Sequence, residues 1–480
     1  MNKFTFLIIF LFSISITAQI VTIPDVSLKY KLVNTNCVDT DGDDIGDSDA
    51  DLNNDGEIQV SEAEAVLWLD LSIIDGNNII YSLDGISSFI NLKKINLDNN
   101  GIDFINLSQN TALEYLSCRG NNTSTLIVDN NPNLNFLWCT SNSISGLNLS
   151  QNPNLELLRC SANNLTELDV SQNLLLKSLT FVDNQITEID ISNNTLLELL
   201  YCSQNQISNL DLSVHPNLRT LLVMDNNLST LDLTNNPELY DVHISYNSIS
   251  EIDLSQNPII YKFSSFDNGL LSLDVSENLD LGELSLREPQ IDNIDLSQNL
   301  NLSRIYINSS EQQNLDLSQN INLTSVILNN NLFSFIDLRN GNNTILERLS
   351  ILENPNLVCI QIDDVVYASS QECIENEPPY SDEGWCVDNI GLFNEDCTLG
   401  FNDISEIANI KLYPNPVEET LNININESIH FNAKVFNTLG ILLFETNDKK
   451  SIDVSLLDSG IFFIQISTEE KVVTKRFIKN

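Results

Sequence analysis

Leu92, Leu113, Leu134, Leu155, Leu176, Leu197, Leu218, Leu239, Ile260, Leu281, Leu302 and Leu323 stand 21 residues apart, twelve times without an insertion, and a shifted thirteenth start follows at Leu346. Each unit reads approximately L-x-x-L-x-(C/L/I)-x-x-N-x-(I/L)-x-x-(I/L)-D-(L/V)-S-x-N-x-x. No single copy can bury its own leucines, so the copies must stack into a solenoid with one continuous core and collective stability. Rungs about 4.8 Å apart would join the L-x-x-L-x-L strands into one parallel sheet roughly 55 to 60 Å long.

The unit resembles the bacterial leucine-rich repeat, which implies an α/β leucine-rich-repeat solenoid with a parallel β-sheet horseshoe. Position nine is Asn in ten of the twelve copies, with Pro289 and Ser310 as the exceptions. An Asn amide both donates and accepts, so this column, and a second one that includes Asn173 and Asn194, is expected to close backbone groups in buried turns. Cys118, Cys139, Cys160 and Cys202 share position six and should point into the core. Neighbouring parallel strands keep their Cβ atoms near rung spacing, wider than the about 3.8 Å that a disulfide prefers, so free buried thiols are expected. Nine consecutive copies carry Asp at position fifteen, from Asp169 to Asp337. These carboxylates either accept local hydrogen bonds and face water or form a row of weak divalent-cation sites.

Strand alternation sends positions two, three and five onto the concave sheet. Of the eleven bases between Leu92 and Leu357, eight occupy those positions: Lys93, Lys94, Arg159, Lys177, Arg219, Lys262, Arg304 and Arg348. Tyr115, Phe136, Trp138, Tyr201, Tyr240, His243, Tyr261 and Tyr306 join them. Strand propensity alone accounts for exposed aromatics, whereas Arg among aromatics is the composition of recognition surfaces. The candidate contacts for an acidic protein or glycan are Trp138, Arg159, Tyr201, Arg219, Tyr240, His243, Tyr261, Lys262, Arg304 and Tyr306.

Ahead of the repeats, residues 51–62 spell D-x-N-x-D-G-x-I-x-x-x-E. Asp51, Asn53 and Asp55 would supply side-chain ligands, Glu57 a backbone oxygen and Glu62 a bidentate carboxylate, with Gly56 at the sharp turn, which is the pattern of an EF-hand calcium loop. The alternative is a solvated acidic turn. The upstream Asp39, Asp41, Asp43, Asp47 and Asp49 resemble the Asp-rich calcium repeats of extracellular proteins, but a second EF loop fails because its position twelve is Ala50. Helices are expected at Asp25 to Val33 and Ser61 to Leu69, together covering the open apolar end of the solenoid. Such a cap is similar in architecture to the EF-hand-like helical cap of the internalin class of bacterial adhesins, with Ca2+ as a structural ion.

After the repeats, Cys359, Cys373, Cys386 and Cys397 gather in a closing cap. Of three connectivities, Cys359 with Cys397 and Cys373 with Cys386 nests one bridge within the other. From about Ile410, alternating strand-like runs separated by turns indicate a small C-terminal β-sandwich. Tyr413-Pro414-Asn415-Pro416, the FNTLG turn with Gly440, LLDSGIFFIQI with Gly460, and the basic end Lys475-Arg476-Phe477-Ile478-Lys479 resemble the type A C-terminal sorting domain of the type IX secretion system. That resemblance implies passage through the periplasm of a Gram-negative cell and export by the type IX machinery.

The ends and the charge agree with export. Residues 1–18 read as a signal peptide, with Lys3 ahead of an apolar run from Phe4 to Ile16 and small residues ending at Ala18, and no later run is long enough to span a membrane. With 67 acidic against 22 basic residues the formal net charge is -45, which disfavours a nucleic-acid partner. Three His without metal-ligand spacing, no nucleophile elbow and no phosphate loop argue against an enzyme. The expected organisation is a signal peptide (1–18), a cap with the calcium loop (19–91), the solenoid (92–357), a Cys-containing C-cap and linker (358–408) and the sorting domain (409–480). The expected function is protein or glycan binding, adhesin-like, at the cell surface or after secretion. The alternative is a structural surface coat with calcium-dependent self-association.

Overall fold

The structure is a computed structural model that describes residues 19–43, 45–73, 78–374, 383–397, 411–413, 417–424, 431–437, 442–447, 449–457, 460–467 and 472–479. The leader 1–18, Pro414 to Pro416 and Gly440 lie outside the described residues. The chain divides into two compact units, one of residues 1–358 with 366–392, the other of 359–365 with 393–480.

The first unit is a β-solenoid. Each repeat contributes a short strand, such as Leu157–Arg159, whose middle residue points inward: Ile95, Leu116, Leu137, Leu158, Leu179, Leu200 and Leu221 are all 0% exposed. Burying one such side chain contributes about 1.5 to 3 kcal/mol, so the column, not any one rung, holds the stack. From Lys94–Asn96 to Ser325–Ile327 the strands pair in parallel with a 21-residue offset, for example Leu158 opposite Leu179 and Leu200 opposite Leu221. The sheet holds sixteen strands and reaches beyond the periodic segment at both ends. Trp68–Asp70 pairs with Lys94–Asn96 at one end, and Glu383–Val387 pairs with Arg348–Ile351 at the other.

That first strand corrects a sequence expectation. Helix α1 covers Val26–Asn34, capped by Asp25, whose Oδ1 accepts from Ser27 N and Leu28 N while Oδ2 accepts from Tyr81 N and Ser82 N. Helix α2 covers only Val60–Ala65 instead of running to Leu69. Val66 is extended and Leu69 is fully buried as the middle of a strand, because the edge of the parallel sheet offers backbone partners that outweigh the helical tendency of the segment.

The Asn column at position nine ties the rungs together. Asn184 Nδ2 donates to the carbonyls of Cys160, Phe181 and Val182 at 3.1, 3.1 and 3.4 Å, and its Oδ1 accepts from Leu165 N at 3.0 Å. One side chain therefore closes backbone groups of its own turn and of the turn before it. The second Asn column acts differently. Asn173 Nδ2 reaches Leu149 O and Asn152 O, but its Oδ1 has no partner, and the same holds along the column. His215 stands in this column, fully buried, with Nε2 3.1 Å from Ile191 O, which makes Nε2–H the donor. Its role is that of the Asn it replaces.

Position eight carries a constraint of its own. Asn99, Ser141, Ala162, Asp183, Gln204, Asp225, Tyr246 and Asp267 all have φ between 51° and 59° there, in the left-handed region, as does Gly120. Repeat ten breaks this pattern because Pro289 follows position eight and disfavours a helical conformation in the residue before it. Glu288 at that position turns inward, 2% exposed, and accepts from Ser265 Oγ, Asn268 N and Gly269 N. The buried carboxylate supplies acceptors only, where the Asn of a regular repeat also donates, and three donors compensate its burial. Around it the strands lengthen to Lys262–Phe266, Glu283–Arg287 and Arg304–Ile307.

The buried thiols remain free: Cys37, Cys118, Cys139, Cys160 and Cys202. Burial pushes Cys139 and Cys202 up to about 12 and Cys118 and Cys160 well above the ordinary thiol range, so they pack as small apolar groups. Cys373 and Cys386 are bonded within the first unit, with Cα atoms 4.7 Å apart. Trp385 closes that end, buried at 4% exposure with its Nε1 donating to Leu346 O.

In the second unit, Cys359 and Cys397 are bonded, with Cα atoms 6.0 Å apart. Its two antiparallel sheets, Lys411–Tyr413, Thr420–Asn424 and Ser451–Asp453 against Leu442–Asn447, Asn432–Phe436, Gly460–Ser467 and Val472–Lys479, enclose one core. Leu421, Ile423 and Ile452 from one sheet meet Val435, Ile464 and Phe477 from the other, giving a β-sandwich.

Asn184→Asp keeps the shape and the acceptor but turns the donor toward three carbonyls into a second acceptor. It should lower stability by more than about 2 kcal/mol. Ala162→Gly relieves the left-handed strain and should raise stability by up to about 1 kcal/mol. Thermal melts of the two variants check both, and an unaltered midpoint for Asn184→Asp would mean that the ladder contributes no stability.

Candidate functional site

The sheet face presents the positions that the repeat leaves free. Two clusters form on it. The first centres on Trp138 in the strand Phe136–Trp138. The guanidinium carbon of Arg119 lies 4.5 Å from the indole centroid and that of Arg159 4.9 Å. The indole Nε1 donates to Thr140 Oγ1, which fixes the ring, and Phe136 meets it edge-on while stacking on Tyr115 at 4.3 Å. Arg119 is bonded to Asp98, a 4% exposed carboxylate that also accepts from Ser117 Oγ. Arg159 has no carboxylate partner among the described residues, so its charge is oriented by the indole and left available.

The second cluster covers repeats eight to eleven. Tyr240 and Tyr261 stack at 5.3 Å with planes 6° apart. A Cβ at Gly282 would stand 2.1 Å from the Tyr261 ring, so only glycine lets that tyrosine lie along the face. His243 Nε2 sits 2.9 Å from Asp241 Oδ1. Glu283 is shared by Lys262 at 3.6 Å and Arg304 at 3.1 Å, and Tyr306 packs against Phe266. Tyr201 lies half-buried on the strand Leu199–Tyr201, and Arg219 is exposed just ahead of Thr220–Leu222, between the two clusters.

Two features of this face were not read from the sequence. The bases are not a bare positive stripe: Lys93 pairs with Glu114 and Lys177 with Glu156, each across one rung, as Glu283 pairs with its two bases. Counting acidic as well as basic residues at positions two and three would have revealed the alternation. Position seven also reaches this face, as Arg119 does at Trp138 and Arg287 does between Tyr246 and Phe266, 5.5 Å from each ring.

The position-fifteen aspartates line a different surface, with a shallow groove of about 880 Å3 bordered by Glu167, Asp169, Glu188 and Asp190. Each Asp accepts from the backbone N–H two residues on, as in Asp169 to Ser171, Asp211 to Ser213 and Asp316 to Ser318, all at 2.9 Å. Hydrogen bonds from the following Ser or Thr, hydroxyl and backbone, hold Asp169, Asp190, Asp211 and Asp232 below the usual carboxylate range. The column therefore forms the outer turn of each rung.

In the 51–62 loop, Gly56 takes φ +84° and its N–H donates to Asp51 Oδ2 at 2.7 Å. Glu62, 5% exposed, accepts from Asn53 N with one oxygen and from Gln59 N with the other, capping α2. Asp55 accepts from Glu57 N and Gln59 Nε2, and the Glu57 N–H first of all holds it below the usual carboxylate range. Asp51, Asn53, Asp55 and Glu62 thus lie along one tight turn with their oxygens each accepting N–H groups of the loop, and the three carboxylates do not converge on a common point as a preformed ion site would. A second acidic group, Asp39, Asp41 and Asp43, has carboxylate oxygens within 4.8 Å of one another on the exposed surface.

Comparison with known proteins finds likenesses in both units. Residues 411–480 match the family described as "Secretion system C-terminal sorting domain". The functional domain of InlJ from Listeria monocytogenes superposes with a TM-score of 0.59 at 24% identity, covering 88% of this chain and 93% of that one, and its description includes a cysteine ladder. A leucine-rich-repeat protein of Leptospira interrogans gives 0.50 at 20% identity, covering 64% of this chain and 88% of that one. No curated protein matches in sequence. Among the described residues no helix is long and apolar enough to cross a membrane.

The aspartate turns imply a pH dependence of known sign. Carboxylates held low in the folded state stabilise it above the unfolded value of about 3.9, and that stability is lost as pH falls through the lower folded values. The thermal midpoint should hold between neutral pH and about pH 5 and fall below about pH 4. A midpoint that rose on acidification would mean that repulsion along the column outweighs its hydrogen bonds.

Proposed function

We propose that this leucine-rich-repeat protein, exported through the type IX sorting domain at its C-terminus, is a secreted or surface-displayed recognition protein, adhesin-like, that binds an acidic protein or glycan with its sheet face. The route would run from the signal peptide through the periplasm and across the outer membrane. The observation that carries the reading is the Trp138 indole flanked by Arg119 and Arg159, with Arg159 oriented and free of carboxylates among the described residues, in a chain of net charge -45. Immobilised aromatic and Arg side chains lose little freedom on binding, which is why such groups dominate binding energy at interfaces.

The calcium loop supports that face from the end of the solenoid. A bound Ca2+ would neutralise the carboxylates of Asp51, Asp55 and Glu62 and tie the turn to α2, which packs beside the first rung. The ion is structural in this reading. The surface-coat alternative differs in one observable, calcium-driven self-association without a foreign ligand.

Purified exported protein on an array of glycans and cell-surface proteins tests recognition. The double variant Arg159→Glu/Arg219→Glu should lose the array ligand with its melting temperature nearly unchanged, whereas retained binding would move the site off this face. For the loop, calcium at about 100 times its Kd should stabilise the protein by about 2.7 kcal/mol over the chelated form. Glu62→Gln, which keeps an oxygen for the helix cap, should lose that response. Identical melts with calcium and with chelator would leave an acidic turn closed by its own N–H groups.

A further inference from the structure

The far part of the sheet face holds a depression of about 400 Å3, at the lower end of small-ligand sites, which run from about 300 to 1,000 Å3. Two columns of side chains line it in register. Glu283, Arg304, Ser325 and Arg348 follow one another across successive strands, with Ser285, Tyr306 and Ile327 beside them. It lies next to repeat ten, where Pro289 interrupts the Asn ladder and the strands lengthen.

Glu283 and Arg304 are paired with each other, but several of its other hydrogen-bonding groups are not engaged among the described residues. Most bases elsewhere on the face are matched to a carboxylate one rung away, but Arg348 has no side-chain partner among the described residues, and its Nε is buried without an acceptor. The hydroxyls of Ser285, Ser325 and Tyr306 also bond no other described residue. Arg304 gives one N–H to Glu283 and keeps the rest of its fork. A guanidinium in so acidic a chain could find a carboxylate at little cost, and Glu347 is its immediate neighbour in sequence. An unpaired one beside unpaired hydroxyls is a set of donors arranged for an anion.

The acceptors narrow the ligand further. Glu283 and Glu347 border the same depression, and carboxylates only accept. An occupant must therefore bring hydroxyl donors as well as an anionic group, with a flat C–H face for Tyr306 and Ile327. A peptide carboxylate brings the anion without the hydroxyls. A hexuronic acid brings all three. We propose that this depression is a saccharide subsite that takes the carboxylate of a uronic-acid residue on Arg348 and Arg304, its ring against Tyr306 and its hydroxyls on Glu283, Glu347 and the serines. The assignment rests on the reading of the sheet face as a recognition surface and names the ligand class for one part of it.

Isothermal titration of the purified exported protein with a galacturonic-acid trisaccharide, its methyl ester and a tri-glutamate peptide tests it. The acid sugar should bind, and the ester should bind at least about tenfold more weakly, the loss expected for a charged hydrogen bond. Arg348→Gln should cost a similar factor and Tyr306→Ala should also weaken binding, while Arg348→Lys should recover part of the affinity. Melting curves confirm that each variant is folded. Equal affinity for acid and ester, tri-glutamate binding as tightly as the sugar, or no binding of the acid sugar would each overturn the assignment. If the array ligand still depends on Arg159 and Arg219 in that event, only the subsite falls. If the array ligand is indifferent to them as well, the sheet-face reading falls with it.

Discussion

Everything in the first unit depends on one side chain satisfying the backbone of two consecutive turns. A solenoid rung reverses direction inside the molecule, where peptide groups have no water to bond, and an unpaired one costs about 1 to 3 kcal/mol. Asn163, Asn184 and Asn205 each solve this for their own turn and for the preceding one, with the amide donating to carbonyls 24 and 3 residues back and accepting from an N–H 19 residues back. The offsets are only compatible with a fixed 21-residue register. An insertion within a rung would misplace every contact at once, which explains why the period runs uninterrupted and why chemistry can vary only at positions that the ladder and the core leave free.

Repeat ten shows what happens when that constraint is lifted. Proline cannot offer an amide, and its ring displaces the residue before it from the left-handed turn. Glu288 fills the gap with a different set of hydrogen bonds, all accepted and none donated, from Ser265 Oγ and the N–H groups of Asn268 and Gly269. The strands on either side grow by one or two residues, and Tyr246, Phe266 and Arg287 come into contact beside them. Irregularity in the scaffold and concentration of unpaired polar groups on the neighbouring face therefore coincide. A regular rung offers the same small surface each time, whereas a broken one can offer a shaped depression.

The solenoid and its parallel strands were legible because they follow from period and alternation, two quantities that sequence carries directly. Other features were hidden for identifiable reasons. The left-handed turn at position eight shows no residue signature, since Asn, Ser, Ala, Asp, Gln and Tyr all occupy it. There the neighbouring ladder imposes the conformation and overrides local preference. Trp68–Asp70 read as the end of a helix because its partner strand lies 26 residues downstream, and pairing at that distance leaves no local mark. The face was read as basic because bases were located and acids were not, although Lys93 with Glu114 and Lys177 with Glu156 sit at repeat positions as regular as any leucine. His215 was legible only as a rare residue, and its place in the second Asn column shows it to be a donor to a carbonyl.

The cysteines show how strand direction decides covalent chemistry. Cys118, Cys139 and Cys160 are neighbours on successive rungs, buried together and free, because parallel in-register strands hold their Cβ atoms at rung spacing and no local adjustment can shorten one interval without disturbing the ladder beside it. The bridge at the end of the sheet forms where the chain reverses. Cys373–Ile374 runs antiparallel to Glu383–Val387, and the reversal brings the Cα atoms of Cys373 and Cys386 to 4.7 Å, inside the range a disulfide accepts. The last rung has no following Asn to close its turn and no following leucine to cover its core. A cross-link, with Trp385 laid over the opening, supplies at that end what the next repeat supplies everywhere else. The periodic thiols and the bridged ones therefore belong to a single design, in which covalent bonds begin where the stacking of repeats stops.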